Sequence, residues 1–229
     1  MINKNKKYCY RITHIKNLPI ILESGIVCKK NSKANSKYIN IGNPEIIDVR
    51  TETPVKIEDY GMIGDYIPFY FTSKSIMLYN IQTGFRHPVV PKRHPSEILV
   101  MRFKIEELSS LESKWFFTDG QANDKATTHY NNLTDIDKID WESIHQNNFS
   151  KSDDFDRGRR YQAEFLVKNE VPISHIESLN VYNDKAKEYV EKILKEYNLE
   201  IRVNNNKIYY FWAWLKLRKE IYLMQILPP

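Results

Sequence analysis

The chain has 229 residues, of which 41% are hydrophobic, 28% charged and 13% aromatic, with two cysteines. That length and core-forming content indicate one globular domain with at most an appendage, and they exclude a disordered chain or a disulfide scaffold. A formal net charge of +5 is too small by itself to name a nucleic-acid partner.

Along the chain, the N-terminus is basic but has neither the apolar stretch nor the cleavage site of a secretory signal, so a cytoplasmic protein is expected. Tyr8 to Ile12 reads as a strand. Asn17 to Gly25 reads as a short helix, with Asn17 as its cap, Pro19 in the first turn and Gly25 at its left-handed end. Cys9 and Cys28 lack a Cys-x-x-Cys partner or a neighbouring histidine cluster, which points to reduced thiols and no metal. Ile26 to Cys28 starts an extended piece, and the polar run Lys29 to Asn40 reads as a loop or lid. Pro44 to Arg50 reads as an extended segment ending in a lone arginine.

Asp65 to Thr72 is aromatic and extended, and a short helix through Met77, Leu78 and Tyr79 follows. Further strands are expected at Ile98–Lys104, Trp115–Thr118, Tyr161–Val167 and Ile176–Val181. Asn183 and Asp184 cap a helix with apolar residues at Ala186, Val190, Ile193, Leu194 and Tyr197, the spacing of one buried face. Ile201–Val203 and Ile208–Phe211 suggest a closing hairpin. The stretch from Phe211 to Leu227 is too polar and too short to span a bilayer. Mixed strand lengths with helices gathered at the ends imply an α+β fold.

Charge is unevenly spread. Residues 1–40 hold nine Lys/Arg against the single acid Glu23. Residues 105–156 hold twelve Asp/Glu against four Lys/Arg, and Arg157, Arg159 and Arg160 follow at once. Two readings stay open on charge alone: a basic surface for phosphates, or solvated lysines in a chain rich in Asn, Lys and Ile.

Nucleotide-binding glycine loops, the Gly-x-Ser-x-Gly elbow and His-Glu-x-x-His are all missing from the sequence. Glu164 stands out instead, because Ala163, Phe165, Leu166 and Val167 surround a carboxylate with apolar residues. Buried there, it must be paired or functional; on an edge strand facing water it would be neither. Arg50 and His14 have comparable bland readings, as a surface ion pair and as a histidine satisfying a backbone group.

Several ordered blocks weigh on these alternatives by resemblance. Tyr10-Arg-Ile-Thr-His14 with Asn17-Leu18 and Ile21-Leu-x-x-Gly25, then Ile41-Gly42 and Arg50, then Asp65-Tyr-Ile-Pro-Phe-Tyr-Phe71 and Ser75-Ile-Met-Leu-Tyr79 are similar to the DarT family of DNA ADP-ribosyltransferase toxins. Phe117-Thr-Asp-Gly-Gln-Ala122, Ile139-Asp-Trp141 and Arg159-Arg-Tyr-Gln-Ala-Glu-Phe-Leu-Val167 continue the match, so that it covers roughly residues 8–182. The resemblance implies an ADP-ribosyltransferase fold, a split mixed or antiparallel sheet with flanking helices and a cleft for the co-substrate NAD. It implies transfer of ADP-ribose to single-stranded DNA, usually at thymidine N3, and a toxin–antitoxin partnership with the macrodomain protein DarG. Residues 1–211 would form the catalytic domain and 212–229 an extension without an assigned role.

On the same resemblance the catalytic residues are Glu164 and Arg50. NAD contacts fall on Thr13, His14, Asn17, Gly25, Arg50, Tyr70, Met77 and Tyr79. Residues 29–48 would form a flap over NAD, and the substrate-reading loop would lie within Thr118–Arg160. The chemistry suits these residue types. Loss of nicotinamide leaves positive charge on the ribose, which a fixed carboxylate stabilises, and the same carboxylate can take the thymine proton while an arginine offsets charge on the base carbonyls. Thymine N3 is paired in duplex DNA, so a single strand is required, with cations and stacking rings to hold it. Arg86, Lys92, Arg93, Arg157, Arg159 and Arg160 are the candidate cations, and Trp115, Tyr130 and Tyr161 the candidate rings. Rival readings keep the fold but modify guanine, RNA or protein, or make the chain an inactive basic nucleic-acid-binding module.

Overall fold

Long apolar runs at Ile98–Lys104 and after Glu164 dictate strands buried on both faces, and these strands form the middle of the sheet. The computed structural model describes residues 7–211; the expected extension at 212–229 lies outside the described residues. In chain order the elements are β1 (Tyr8–His14), α1 (Leu18–Ser24), β2 (Ile26–Val27), α2 (Pro44–Glu52), β3 (Tyr66–Tyr70), α3 (Ile76–Thr83), β4 (Ile98–Lys104), α4 (Ile105–Ser109) and β5 (Trp115–Thr118). They continue with β6 (His129–Tyr130), α5 (Trp141–Gln146), α6 (Arg157–Arg160), β7 (Glu164–Lys168), β8 (Glu170–Val171), β9 (Ser178–Val181), α7 (Asp184–Glu196) and β10 (Val203–Asn205).

The large sheet runs β10-β9-β4-β1-β3-β7-β5-β6, and β2 and β8 form a separate pair. All pairings are antiparallel except β10 with β9. The sheet is split at its centre: β1 is registered with β4 along seven residues but shares with β3 only Tyr10↔Tyr70. The split explains why Pro68 is tolerated in a central strand. The edge on which proline lacks a donor faces the split, where no ladder bond is made, and its carbonyl on that edge receives Arg11 Nη1 at 3.0 Å.

Four expectations change in the structure. Pro44–Glu52 is a helix, not an extended segment: Asn43 accepts the Glu45 N–H and Pro44 stands at the start, where its missing donor costs nothing. The strand expected at Tyr161–Val167 begins only at Glu164, because the turn of α6 carries the chain through Tyr161. The closing hairpin is absent among the described residues. Instead α7 carries the chain back so that β10 runs parallel to β9, as a crossover helix requires, and Lys207–Tyr209 is a 3-10 turn. Finally, Asn17 makes no side-chain cap on α1; its amide is used elsewhere.

Helix α7 keeps its expected face, burying Ala186, Val190, Ile193 and Leu194, with Asn183 accepting the Ala186 N–H. Each fully buried aliphatic side chain of this kind contributes roughly 1.5–3 kcal/mol. Both cysteines are buried free thiols.

Candidate active site

The site is assembled where the sheet splits. Glu164 opens β7 directly opposite Tyr70, the last residue of β3. Its side chain is 2% exposed, so a carboxylate there requires compensation. Arg50 supplies it from the last turn of α2, with Nη1 at 2.9 Å from Oε2 and 3.2 Å from Oε1. The Ala122 N–H is a second donor, to Oε1 at 3.3 Å. Arg50 Nη2 is buried and has no hydrogen-bond partner among the described residues, leaving a guanidinium donor beside the carboxylate for a further acceptor.

Tyr70 closes one side. Burial, reinforced by the nearby Glu164 charge, pushes its hydroxyl far above the ordinary phenol range, so it stays a donor, and it reaches Met77 Sδ at 3.5 Å. Met77 in turn lies beneath Gly42: a Cβ at that glycine would stand 3.6 Å from Met77 Cε. The 29–48 stretch therefore folds over α3 and delivers α2 to Glu164.

At the end of β1, buried Asn17 holds the same stretch. Its Nδ2 donates to Thr13 Oγ1 (2.9 Å) and the Ile39 carbonyl (2.9 Å), and its Oδ1 accepts the Ile39 N–H (2.8 Å). Thr13 Oγ1 also meets the Tyr38 hydroxyl at 2.7 Å. His14, 3% exposed, accepts the Lys16 N–H at Nδ1 and points Nε2 towards Glu97 at 3.6 Å. Burial and then the Arg93 cation hold its pKa below the usual histidine value, so it is neutral with its proton on Nε2 at pH 7.

Other candidates lie apart from this cluster. Gly25 (φ +75°) turns the chain into β2, where a Cβ would meet the Val171 carbonyl at 3.2 Å. Tyr79 packs against Phe85, Phe149 and Phe211. Arg86 and Lys92 are exposed, whereas Arg93 lies near Glu97 (3.8 Å). The three clustered arginines are engaged by the acids that precede them: Arg157 by Asp153, Arg159 by Asp156 and Asp119, and Arg160 by Asp154, Asp140 and Asp156. They clasp the 118–160 segment. Tyr161 is buried, with its hydroxyl on the Lys74 carbonyl, and cannot stack on a base. Trp115 and Tyr130 are half-buried and already stacked on Phe165 and Phe117.

A cavity of about 350 Å³, lined by Lys30, Asp65, Lys114, Lys168 and Asn169, is not this site. It adjoins the Tyr66↔Lys168 end of the β3–β7 pair, while Glu164 occupies the Tyr70 end. Tyr38 and Ile39 fall in the expected flap and Thr118 at the start of the expected substrate-reading loop, but none of them, nor Gly64, is singled out by the sequence as an individual site residue. The structure places Thr118 opposite Glu164: extending the Phe117↔Phe165 pairing by one residue brings the two together.

Among the described residues no group of His, Cys, Asp and Glu is arranged to hold a metal, and no helix is long and apolar enough to cross a membrane. A family model described as "ssDNA thymidine ADP-ribosyltransferase, DarT" matches residues 10–211. A DNA ADP-ribosyl transferase of Escherichia coli O127:H6 is 33% identical over 211 residues, covering 92% of this chain and 96% of the relative. Thermus sp. 2.9 DarT in complex with ADP-ribosylated ssDNA superposes with a TM-score of 0.81 at 29% identity, covering 92% of this chain and 99% of that one. The same Thermus protein in complex with NAD+ gives 0.77 at 27% identity, covering 92% and 100%.

Proposed function

Because the chain belongs to the DarT family of single-stranded-DNA thymidine ADP-ribosyltransferases, we propose that Glu164 and Arg50 are its catalytic pair, that residues 1–211 form the catalytic domain and that thymine N3 is the acceptor atom. The protein is an NAD-dependent DNA ADP-ribosyltransferase, with NAD as co-substrate. The supporting observation is a carboxylate 2% exposed, gripped by an arginine whose second terminal nitrogen is buried and has no partner among the described residues, at the split of the sheet.

The residues fit the dinucleotide's chemistry. Bound NAD supplies a ribosyl C–N bond whose leaving group is neutral nicotinamide. Glu164 holds negative charge where the sugar carbon becomes cationic, which stabilises the transition state more than the ground state. The same carboxylate accepts the N3 proton as the new N–C bond forms, so the proton ends on Glu164 and the electron pair of the broken bond on nicotinamide. Arg50 orients that carboxylate through Nη1, and its unpartnered Nη2 suits a base carbonyl on which charge grows. Thr13, His14 and Asn17 line the β1 end of the cleft, neutral His14 serving as a hydrogen-bond donor from Nε2. Tyr70 and Met77 border the nicotinamide side; Gly25 and Tyr79 shape the elements that carry those residues. The antitoxin partner implied by the family is DarG, a macrodomain protein that removes the modification.

Glu164→Gln keeps the side-chain shape and removes the base. Transfer of labelled ADP-ribose to a thymidine oligonucleotide should fall by roughly 10²–10⁴-fold while NAD binding persists. Unchanged transfer overturns the assignment. Annealing a complementary strand beforehand should suppress labelling of wild-type reactions, and equal labelling of the duplex contradicts N3 as acceptor.

A further inference from the structure

The segment Phe117-Thr-Asp-Gly-Gln-Ala122 contributes no charged group to Glu164, yet two of its residues hold that glutamate, one at its backbone and one at its carboxylate. The regular β5–β7 ladder ends at Phe117↔Phe165. One step further, Thr118, wholly buried, substitutes its side chain for a strand partner: Oγ1 accepts the Glu164 N–H at 3.0 Å and donates to the Gly120 carbonyl at 2.6 Å. Both capacities of the hydroxyl are used in the direction that fixes the backbone of the residue carrying the carboxylate. Four residues on, Ala122 N–H holds that carboxylate itself at 3.3 Å.

The turn between these two contacts is clamped from outside. Gly120 has no room for a side chain, since a Cβ would lie within 2.9 Å of Thr127 Oγ1 and closer still to Arg159. Arg159 fills that space, donating to Thr127 Oγ1 (3.0 Å) and Asp119 Oδ1 (3.3 Å), while Gln121 N–H bonds the Arg159 carbonyl (3.0 Å). His129 braces the far side, with Nε2 3.0 Å from the Ala122 carbonyl and Nδ1 accepting the Lys56 N–H.

We propose that the Thr118 hydroxyl is a positioning residue for ADP-ribose transfer, joining the rigid Gly120–Ala122 turn to the backbone of Glu164 so that the carboxylate is fixed in place before substrates arrive. The proposal rests on Glu164 being the catalytic carboxylate. Displacement of a reacting group by about 1 Å can cost on the order of 10²-fold in rate, so a hydroxyl that never meets substrate governs turnover through geometry.

The test uses the full chain with Thr118→Val, Thr118→Ser and Glu164→Gln, measuring kcat and KM for NAD at saturating oligonucleotide. Valine preserves shape without the hydroxyl, and serine keeps the hydroxyl without the methyl. Thr118→Val should lower kcat by roughly 10- to 100-fold with KM for NAD nearly unchanged, and Thr118→Ser should retain most of the wild-type kcat. Should the valine chain fail to fold, Thr118→Cys, whose sulfur bonds only weakly, takes its place with the same expectation. Wild-type kcat in Thr118→Val, equal damage in the serine variant, or a KM rising in step with the fall in kcat each overturn the proposal. An inactive Glu164→Gln beside a fully active Thr118→Val refutes the positioning role alone, whereas an active Glu164→Gln removes the reading beneath it.

Discussion

Gly64→Ala tests whether the placement of Arg50 governs the rate. Gly64 lies in the 3-10 turn Ile63–Asp65 that leads into β3, pressed against the end of α2. A methyl group there would stand 2.8 Å from Thr51 Cα and 3.1 Å from the Arg50 carbonyl oxygen. Both neighbours are backbone, so no side chain can rotate out of the way. Restoring an ordinary carbon–carbon contact of about 3.5 Å requires a retreat of about 0.7 Å by the last turn of α2. That turn carries Arg50, whose Nη1 reaches Glu164 at 2.9 and 3.2 Å. A shift of this size takes the longer bond outside hydrogen-bonding range and stretches the shorter.

The expected outcome of Gly64→Ala is a transfer rate lower by roughly 10- to 100-fold, with an overpacking cost of about 1–3 kcal/mol in stability. Single-turnover labelling of an oligonucleotide from labelled NAD measures the first and thermal unfolding the second. Gly84→Ala is the control. Its methyl first meets the flexible Lys92 side chain, and its φ of +75° makes the substitution strained, so stability falls while the rate at saturating oligonucleotide holds. A wild-type rate in a folded Gly64→Ala chain refutes the claim that α2 sets the position of Arg50 against this turn.

Two further outcomes concern the arginines. Arg86→Gln and Lys92→Gln remove exposed cations and should each weaken single-stranded DNA binding, lowering the salt slope by roughly 0.7 for each phosphate that is no longer neutralised; Arg159→Gln should leave the slope unchanged and lower the unfolding temperature, and a reduced slope in Arg159→Gln would return that residue to the DNA interface. Acid should open the clasp before the core: Arg157 holds Asp153 down at about 2, and Arg160 and Arg159 hold Asp154 and Asp156 below the usual aspartate value. Carboxylates depressed on folding stabilise above their unfolded pKa and lose that effect as pH falls through the folded value, so the protection of the Arg157–Arg160 amides, relative to their intrinsic exchange rate at each pH, should fall between about pH 4 and pH 2 ahead of that in β7. Simultaneous opening of both would show that the ion pairs do not hold the segment.

Which of these features the sequence reveals depends on how far apart the interacting residues lie. Strands β4 and β5 are legible because each is an apolar run bounded by polar residues, and α7 because its apolar spacing matches one buried face. Helix α2 offers no such spacing: none of its residues is buried, and Ile46, Ile47 and Val49 favour strands, so its signals are confined to the Asn43 cap and Pro44. The arginine cluster is visible as charge, but whether its counterions are phosphates or Asp119, Asp140, Asp153, Asp154 and Asp156 depends on a fold of the intervening loop that charge counting does not contain. Glu164 is the opposite case. A carboxylate among apolar neighbours declares that it is buried and needs a partner, yet that partner is 114 residues away on a helix with no buried residues; local pattern does not single out Arg50, which the sequence names only by resemblance, and the register of β3 with β7 and the packing of α2 against Gly64 bring it to Glu164. Local chemistry thus marks the residue under constraint, and tertiary geometry accounts for how its partner reaches it.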